Sequence, residues 1–174
     1  MTYVRMADAA YAANIPGGYE IAAGYYGGPD EFRQWPAADW RRFPGFRLPI
    51  WVGGADSSTE VPAAIGALHA LGVPRGSITV VDMEERRNPS YVQEFGDHLQ
   101  AAGYLVWVYG SLSSVYGNPH LNGYWVADYT PNMNQIDAAL QTAHVRAVQY
   151  AANVPPGFDA SLVRAWTEGE MWHG

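Results

Sequence analysis

Residues Ser77 to Glu85 read Ser-Ile-Thr-Val-Val-Asp-Met-Glu-Glu. Ile78, Thr79, Val80 and Val81 are mostly β-branched and lie between Gly76 and Asn88-Pro89, the pattern of a short buried strand. Strand side chains alternate between faces, so Ile78, Val80, Asp82 and Glu84 share one side, and Thr79, Val81 and Met83 share the other. Two carboxylates therefore follow two aliphatics on one face. Two residues of strand span about 6.6 Å, close enough for like charges to keep one carboxyl protonated near neutrality. Such a pair can provide a proton donor and a stabilising anion for glycoside hydrolysis. A lone Asp-x-Glu at a strand end more often just marks an exit to solvent, so its neighbours must decide.

Those neighbours repeat the theme. Tyr3 to Asp8 reads as a first strand ending in a carboxylate, and Tyr19 to Tyr26 as a second, closed by Gly27-Gly28-Pro29. Pro29 to Phe43 reads as helix in two pieces, with Phe32, Trp35, Trp40 and Phe43 as its packing stripe. Phe46 to Gly54 is a third strand. Asp56-Ser57-Ser58-Thr59 with Pro62 opens a helix that Gly72 and Pro74 end, its apolar face being Val61, Ile65 and Leu68. After the central strand, Asn88 caps a helix that starts at Pro89 and closes at Gly103. Tyr104 to Gly110 is a fifth strand, and the polar stretch to Gly123 has room for one short helix. Tyr124 to Tyr129 is a sixth, a helix starting at Thr130-Pro131-Asn132 carries Ile136 and Leu140 inward, and Val145 to Tyr150 is a seventh. A short eighth covers Gly157 to Asp159, and the tail from Ser161 holds one or two helical turns around Trp166.

Eight strands alternating with helices over 174 residues predict an α/β chain. The expected form is a single compact (β/α)8 TIM-like barrel over 1–174, with some crossover helices shortened or missing. Such barrels build their sites at the C-terminal ends of strands. Here those ends supply Asp8, Tyr26, Trp51, Asp82, Glu84, Tyr109, Asp128, Gln149 and Asp159, with Trp125 on the sixth strand. Acids beside aromatics suit sugars, whose apolar faces stack on rings while hydroxyls bond carboxylates and amides.

Composition narrows the classes further. A hydrophobic content of 48% with 16% charged residues is that of a globular domain, not of a disordered chain. The ten basic residues are all arginine against 17 acids, and the net charge of -7 argues against a nucleic-acid-binding face. There is no cysteine, hence no disulfide and no thiolate metal site. His69, His98, His120, His144 and His173 show no metal-ligand spacing, so no metal site is expected. No stretch reads as a signal peptide or membrane span, and the compartment stays open on sequence alone. The segment Val148 to Asp159 lacks the Gly-rich loops of a phosphate-binding barrel enzyme.

Taken in order, Asp8, Asp82-Met83-Glu84, Val108-Tyr109-Gly110, Tyr124-Trp125-Val126-Ala127-Asp128-Tyr129, Val148-Gln149-Tyr150 and Gly157-Phe158-Asp159 resemble the glycoside hydrolase family 25 lysozymes and related barrels of actinobacterial and phage proteins. The resemblance implies cofactor-free hydrolysis of the β-1,4 bond from N-acetylmuramic acid to N-acetylglucosamine in peptidoglycan, acting at the cell wall in phage lysis, a virion or wall remodelling. It also implies Glu84 as general acid and Asp82 as the group that stabilises an intermediate formed by the substrate's own N-acetyl group. Asp8 and Asp159 would position sugar and Tyr109 would line the cleft. The chain departs from the family at Ala10, where a small hydroxylated residue is usual, and at Asp128, often an uncharged polar residue. It is also shorter than typical members, and no wall-binding module is visible. The alternative is a glycan-binding or structural barrel of a phage or envelope assembly that keeps the cleft without turnover.

Overall fold

The computed structural model describes residues 2–28, 34–54, 56–84 and 88–173, the side chains of Trp166 and Glu168 excepted. The first piece of the helix expected over Pro29 to Phe43 falls largely outside these residues.

Strands β1 (Tyr3–Asp8), β2 (Ile21–Gly27), β3 (Phe46–Val52), β4 (Ile78–Asp82), β5 (Leu105–Ser111), β6 (Gly123–Ala127), β7 (Val145–Val154) and β8 (Phe158–Arg164) pair in a ring that closes through β1 against both β2 and β8. The barrel is therefore the expected one, with a difference in direction. Seven strands run parallel, whereas β8 is antiparallel to β7 and β1. The β7–β8 link is a hairpin through Pro155, Pro156 and Gly157, the glycine at φ +119°, with no helix between the strands. Asp159, expected at the end of a strand, thus lies near the start of one, and β8 continues through Ser161 to Arg164 where helical turns were expected. The turns come later, as a 3-10 segment at Ala165–Glu170. A final strand, β9 (Trp172–His173), pairs antiparallel with Phe46 and Arg47 at the start of β3, and the Arg47 guanidinium lies 4.8 Å above the Trp172 ring.

The crossovers are unequal. Helices α2 (Ser57–Leu71), α3 (Pro89–Ala101) and α5 (Met133–Gln141) are regular, while α1 (Ala37–Arg42) and α4 (Leu112–Val115) are short. Between β1 and β2 there is only a 3-10 turn at Ala12–Asn14. The long helices start where their sequences supply caps. Asp56 accepts the Ser58 N–H at 3.1 Å, Asn88 that of Tyr91 at 3.2 Å and Asn132 that of Asn134 at 3.0 Å, while Gly72 ends α2 in the left-handed conformation.

Two apolar layers hold the molecule. Inside the ring lie Met6, Ile21, Ala23, Leu48, Ile50, Ile78, Val80, Trp107, Trp125 and Val163, with Val80 and Ile78 fully buried as the alternation predicts. Outside it, Val81, Met83, Val108 and Val126 pack against Leu68, Phe95, Leu99, Ile136 and Leu140 of the helices. Where helices are missing, a smaller cluster of Ala7, Ala9, Phe158 and Ala160 is covered by Tyr19, whose ring meets Phe158 edge-on at 5.4 Å.

Candidate active site

At the exit of β4 the chain is held from both sides. The Gly53 amide donates to the Asp82 carbonyl at 2.8 Å, and the Met83 amide donates to the Tyr109 carbonyl at 2.9 Å. This fixes the direction of the two acids that follow the aliphatics. The Asp82 side chain is buried, and its Oδ1 accepts the Glu84 amide at 2.9 Å. Glu84 is exposed above it, and the Tyr129 hydroxyl donates to Glu84 Oε1 at 3.4 Å. The pair thus has one carboxyl in the floor and one at the surface.

Asp8 and Asp159 stand beside each other on the antiparallel β1–β8 seam, where they are register partners. Asp159 is satisfied, accepting Gln149 Nε2 at 2.6 Å and the Asn153 amide at 2.7 Å. Gln149, fully buried, also accepts the Tyr109 hydroxyl at 2.5 Å. Asp8 is buried, and its Oδ1 has no hydrogen-bond partner among the described residues.

Electrostatics follow from this crowding. Burial, then the charges of Asp159, Asp82 and Glu84, holds the Asp8 carboxyl well above the usual carboxylate range. Burial also pushes Asp82 up to about 7, with Glu84 adding to the rise and the hydrogen bond from the Glu84 amide opposing it. In the sequence reading, mutual repulsion was to set one carboxyl of the Asp82 and Glu84 pair apart. Burial is instead the larger cause, and it selects Asp82. The Tyr25 hydroxyl is raised by burial and by the charges of the same four acids. Tyr109 is raised by burial and by Asp8 and Glu84.

Among the other residues expected at the site, Trp125 is fully buried in the barrel, its ring 4.6 Å from that of Tyr109 and its Nε1 donating to Ser161 at 3.1 Å. It supports the floor of the mouth from below. Tyr26 and Trp51 do not reach the mouth. Both side chains project outward, their rings 5.3 Å apart, with Tyr26 accepting from Thr79 and Trp51 Nε1 donating to Glu60 on α2. A Cβ on Gly27 would lie 2.2 Å from the Trp51 ring, so β2 must carry glycine where this indole crosses it. Asp128 lies just past the end of β6. Its side chain is half-buried and its charge acts on the Tyr116 hydroxyl.

Tyr25 and Tyr129, not singled out by the sequence as site residues, come within reach of the acids instead. Alternation counted from Ile21 through Ala23 puts Tyr25 inward, so a strand signal for it existed. For Tyr129 no such signal exists, because its position depends on a backbone φ of +48°. Among the described residues, no group of three or more His, Asp or Glu side chains is arranged to hold a metal ion, and no helix is long and apolar enough to cross a membrane. The mouth as built can accept several hydrogen bonds and can hold a proton on a buried carboxyl near neutral pH.

No protein-family model and no curated protein matches the chain. Solved structures do match, through the fold. An uncharacterised B. stearothermophilus protein shares 14% identity over 97% of this chain and 100% of its own, with a TM-score of 0.74. The modular autolysin LytC from Streptococcus pneumoniae, solved with a synthetic peptidoglycan ligand, shares 14% identity over 93% of this chain and 47% of its own, with a TM-score of 0.69. A muramidase from Acremonium alcalophilum shares 11% identity over 93% of this chain and 94% of its own, with a TM-score of 0.64. At these identities the likeness is one of fold, and it is a fold that a muramidase and an autolysin use.

Proposed function

We propose that this protein is a peptidoglycan hydrolase of the muramidase type, cleaving the β-1,4 bond between N-acetylmuramic acid and N-acetylglucosamine and acting at a cell wall. The observation that carries the reading is the exposed Glu84 standing directly on the buried Asp82, at the C-terminal end of β4 and within the electrostatic reach of Asp8. The shared fold of an autolysin and a muramidase supports the choice of glycan.

In this reading the proton that burial keeps on Asp82 near neutral pH passes to Glu84, which gives it to the glycosidic oxygen as the bond from that oxygen to the anomeric carbon breaks. The acetamido oxygen of the same sugar bonds to the anomeric carbon, and ionised Asp82 stabilises the positive charge that develops on the acetamido group. Water then attacks the anomeric carbon and reopens the ring, returning a proton to Glu84. Asp8, with its unpartnered Oδ1, and Asp159 hold the sugar through its hydroxyls. Tyr109 and Gln149 keep Asp159 in place.

The test is release of reducing ends from peptidoglycans of several wall chemistries, followed by turbidity and by colorimetry, for wild type and Glu84→Gln. Hydrolysis by the wild type with loss in the variant supports the proposal. Binding of wall fragments without release of reducing ends, equal in both proteins, would replace it with a glycan-binding barrel.

A further inference from the structure

One buried amide ties three strand ends together. Gln149 on β7 donates from Nε2 to Asp159 Oδ2 at 2.6 Å, and the other carboxylate oxygen of Asp159 accepts the Asn153 amide at 2.7 Å. Because Asp159 accepts on both oxygens, the Gln149 nitrogen must face it, which leaves Oε1 facing the Tyr109 hydroxyl at 2.5 Å. A buried carbonyl oxygen has to find a donor, and Tyr109 spends its single proton there. The backbone of the same glutamine places a second tyrosine. The Gln149 carbonyl accepts the amides of both Asp128 and Tyr129, at 3.0 and 3.1 Å, and Tyr129 takes the left-handed conformation, uncommon for an aromatic residue.

The hydroxyls of Tyr109 and Tyr129 come within hydrogen-bonding reach of each other, and that of Tyr129 lies 3.4 Å from Glu84 Oε1. Proton counting then fixes what each can do. With its proton committed to Gln149, Tyr109 can only accept on the side of Tyr129. Tyr129 has one proton and two acceptors to choose from, the Tyr109 oxygen and the Glu84 carboxylate. Ionised Glu84 draws it through the stronger, charge-assisted bond. Once Glu84 carries a proton of its own it becomes the donor, and the Tyr129 hydroxyl turns to Tyr109. Either arrangement gives every proton an acceptor, and the two differ by rotation about one C–O bond.

We infer that Tyr129 is a positioning residue that steadies Glu84 in both of its protonation states, with Tyr109, Gln149 and Asp159 as the fixed chain against which its hydroxyl turns. The inference rests on the hydrolase reading for its purpose, and goes beyond it by naming what takes up the hydrogen bond when the proton from Asp82 reaches Glu84. It also gives Gln149, expected from the sequence to bind substrate, a different task. With both ends of its amide engaged, Gln149 anchors the far end of the chain and, through its carbonyl, the near end as well.

The experiment is carbon NMR of the whole protein labelled at tyrosine Cζ, titrated from acid to neutral pH, with reducing-end release measured on the same preparations. Among the described residues, the titratable groups around the two hydroxyls are Asp8 on β1, Tyr25 on β2, Asp82 and Glu84 at the end of β4 and Asp159 on β8, so Glu84→Gln isolates the transition that belongs to Glu84. The Tyr129 and Tyr109 signals are expected to move together in a transition that Glu84→Gln abolishes, and Tyr129→Phe is expected to remove most of that movement at Tyr109. In turnover, Tyr129→Phe and Tyr109→Phe should each lower kcat about tenfold with KM unchanged, and the double variant should fall no further than the lower single one. Should Tyr109→Phe fail to fold, the NMR comparison decides alone. Independent movement of the two signals, a Tyr109 transition of undiminished size in Tyr129→Phe, or losses that multiply in the double variant would overturn the inference. Linked signals without wild-type hydrolysis leave the hydrogen-bond chain and remove the enzyme reading, and hydrolysis without linked signals does the reverse.

Discussion

Replacing Asp82 by asparagine should make the protein more stable and less active, and the stability gain should grow with pH. Asp82 is buried in the floor of the mouth, and its carboxyl is lifted from 3.8 to about 7. The native state therefore keeps a proton that the unfolded chain has already released, so between these values stability falls as pH rises. Below 3.8 both states are protonated and the term vanishes. Above 7 both are ionised, and the native state carries the full cost, about 4 kcal/mol for roughly three units at 1.36 kcal/mol each. Asparagine retains an Oδ1 to accept the Glu84 amide and never ionises. Water entering an open mouth reduces the gain, so Asp82→Asn is expected to exceed wild type by about 1 to 3 kcal/mol more at pH 8 than at pH 5. Urea unfolding followed by tryptophan fluorescence at the two pH values measures this directly, and turnover in the same preparations should fall at least ~10-fold. A variant less stable than wild type at pH 8, or a stability difference that does not vary with pH, would show that Asp82 is not a buried acid held above its ordinary range.

Other substitutions address separate parts of the molecule. Glu84→Gln keeps the shape of an exposed side chain while removing its capacity to pass a proton, and should lower the rate of reducing-end release at least ~100-fold with an unchanged unfolding midpoint. Val80→Ala removes two methyl groups from the barrel interior beneath the acids and should cost about 1 to 3 kcal/mol in chemical denaturation, leaving specific activity of the folded protein intact. Loss of activity with no loss of stability would mean that Val80 faces the site. Glu60→Gln replaces a buried carboxylate that accepts Trp51 Nε1, the Gly54 and Asp56 amides and the Tyr91 hydroxyl, putting an amide N–H₂ among donors. It should destabilise by about 2 to 4 kcal/mol, and a melting curve identical to wild type would refute that account.

The parts of this fold legible in the sequence are those where one face differs from the other. Ile78, Val80 and Asp82 could be placed inward and Val81 and Met83 outward because the acids that end the run mark its face, and helix starts at Asp56, Asn88 and Asn132 could be read from side chains that cap. Tyr26 and Trp51 were misplaced because β2 and β3 are covered on both sides, so apolar residues line both faces and parity leaves no trace. A register shift between Tyr25 and Gly27 adds to the ambiguity. The path of the chain at Asp128 could not be read, because β6 ends at Ala127 and the next two amides share one carbonyl acceptor, a turn set by a strand distant in sequence. The direction of β8 was in principle readable. Asn153, Pro155, Pro156 and Gly157 between two β-rich runs form a hairpin signal, and the expectation of parallel strands obscured it.

The reversal of β8 also bears on how the site comes into being. β1 pairs with its sequence neighbour β2 only from Met6 to Asp8, but with β8 along its whole length from Tyr3 to Asp8. Its main partner is thus synthesised some 150 residues later, a closure of high sequence separation and high loop entropy. Asp8 and Asp159 lie on this seam, so neither is in position until the ring has shut. A nascent or partly unravelled chain could display the Asp82 and Glu84 pair on paired inner strands while lacking the acids that complete the mouth. Competence to act on a glycan would then report the finished barrel, and partial unfolding at the seam would silence the protein before the rest of its core was lost.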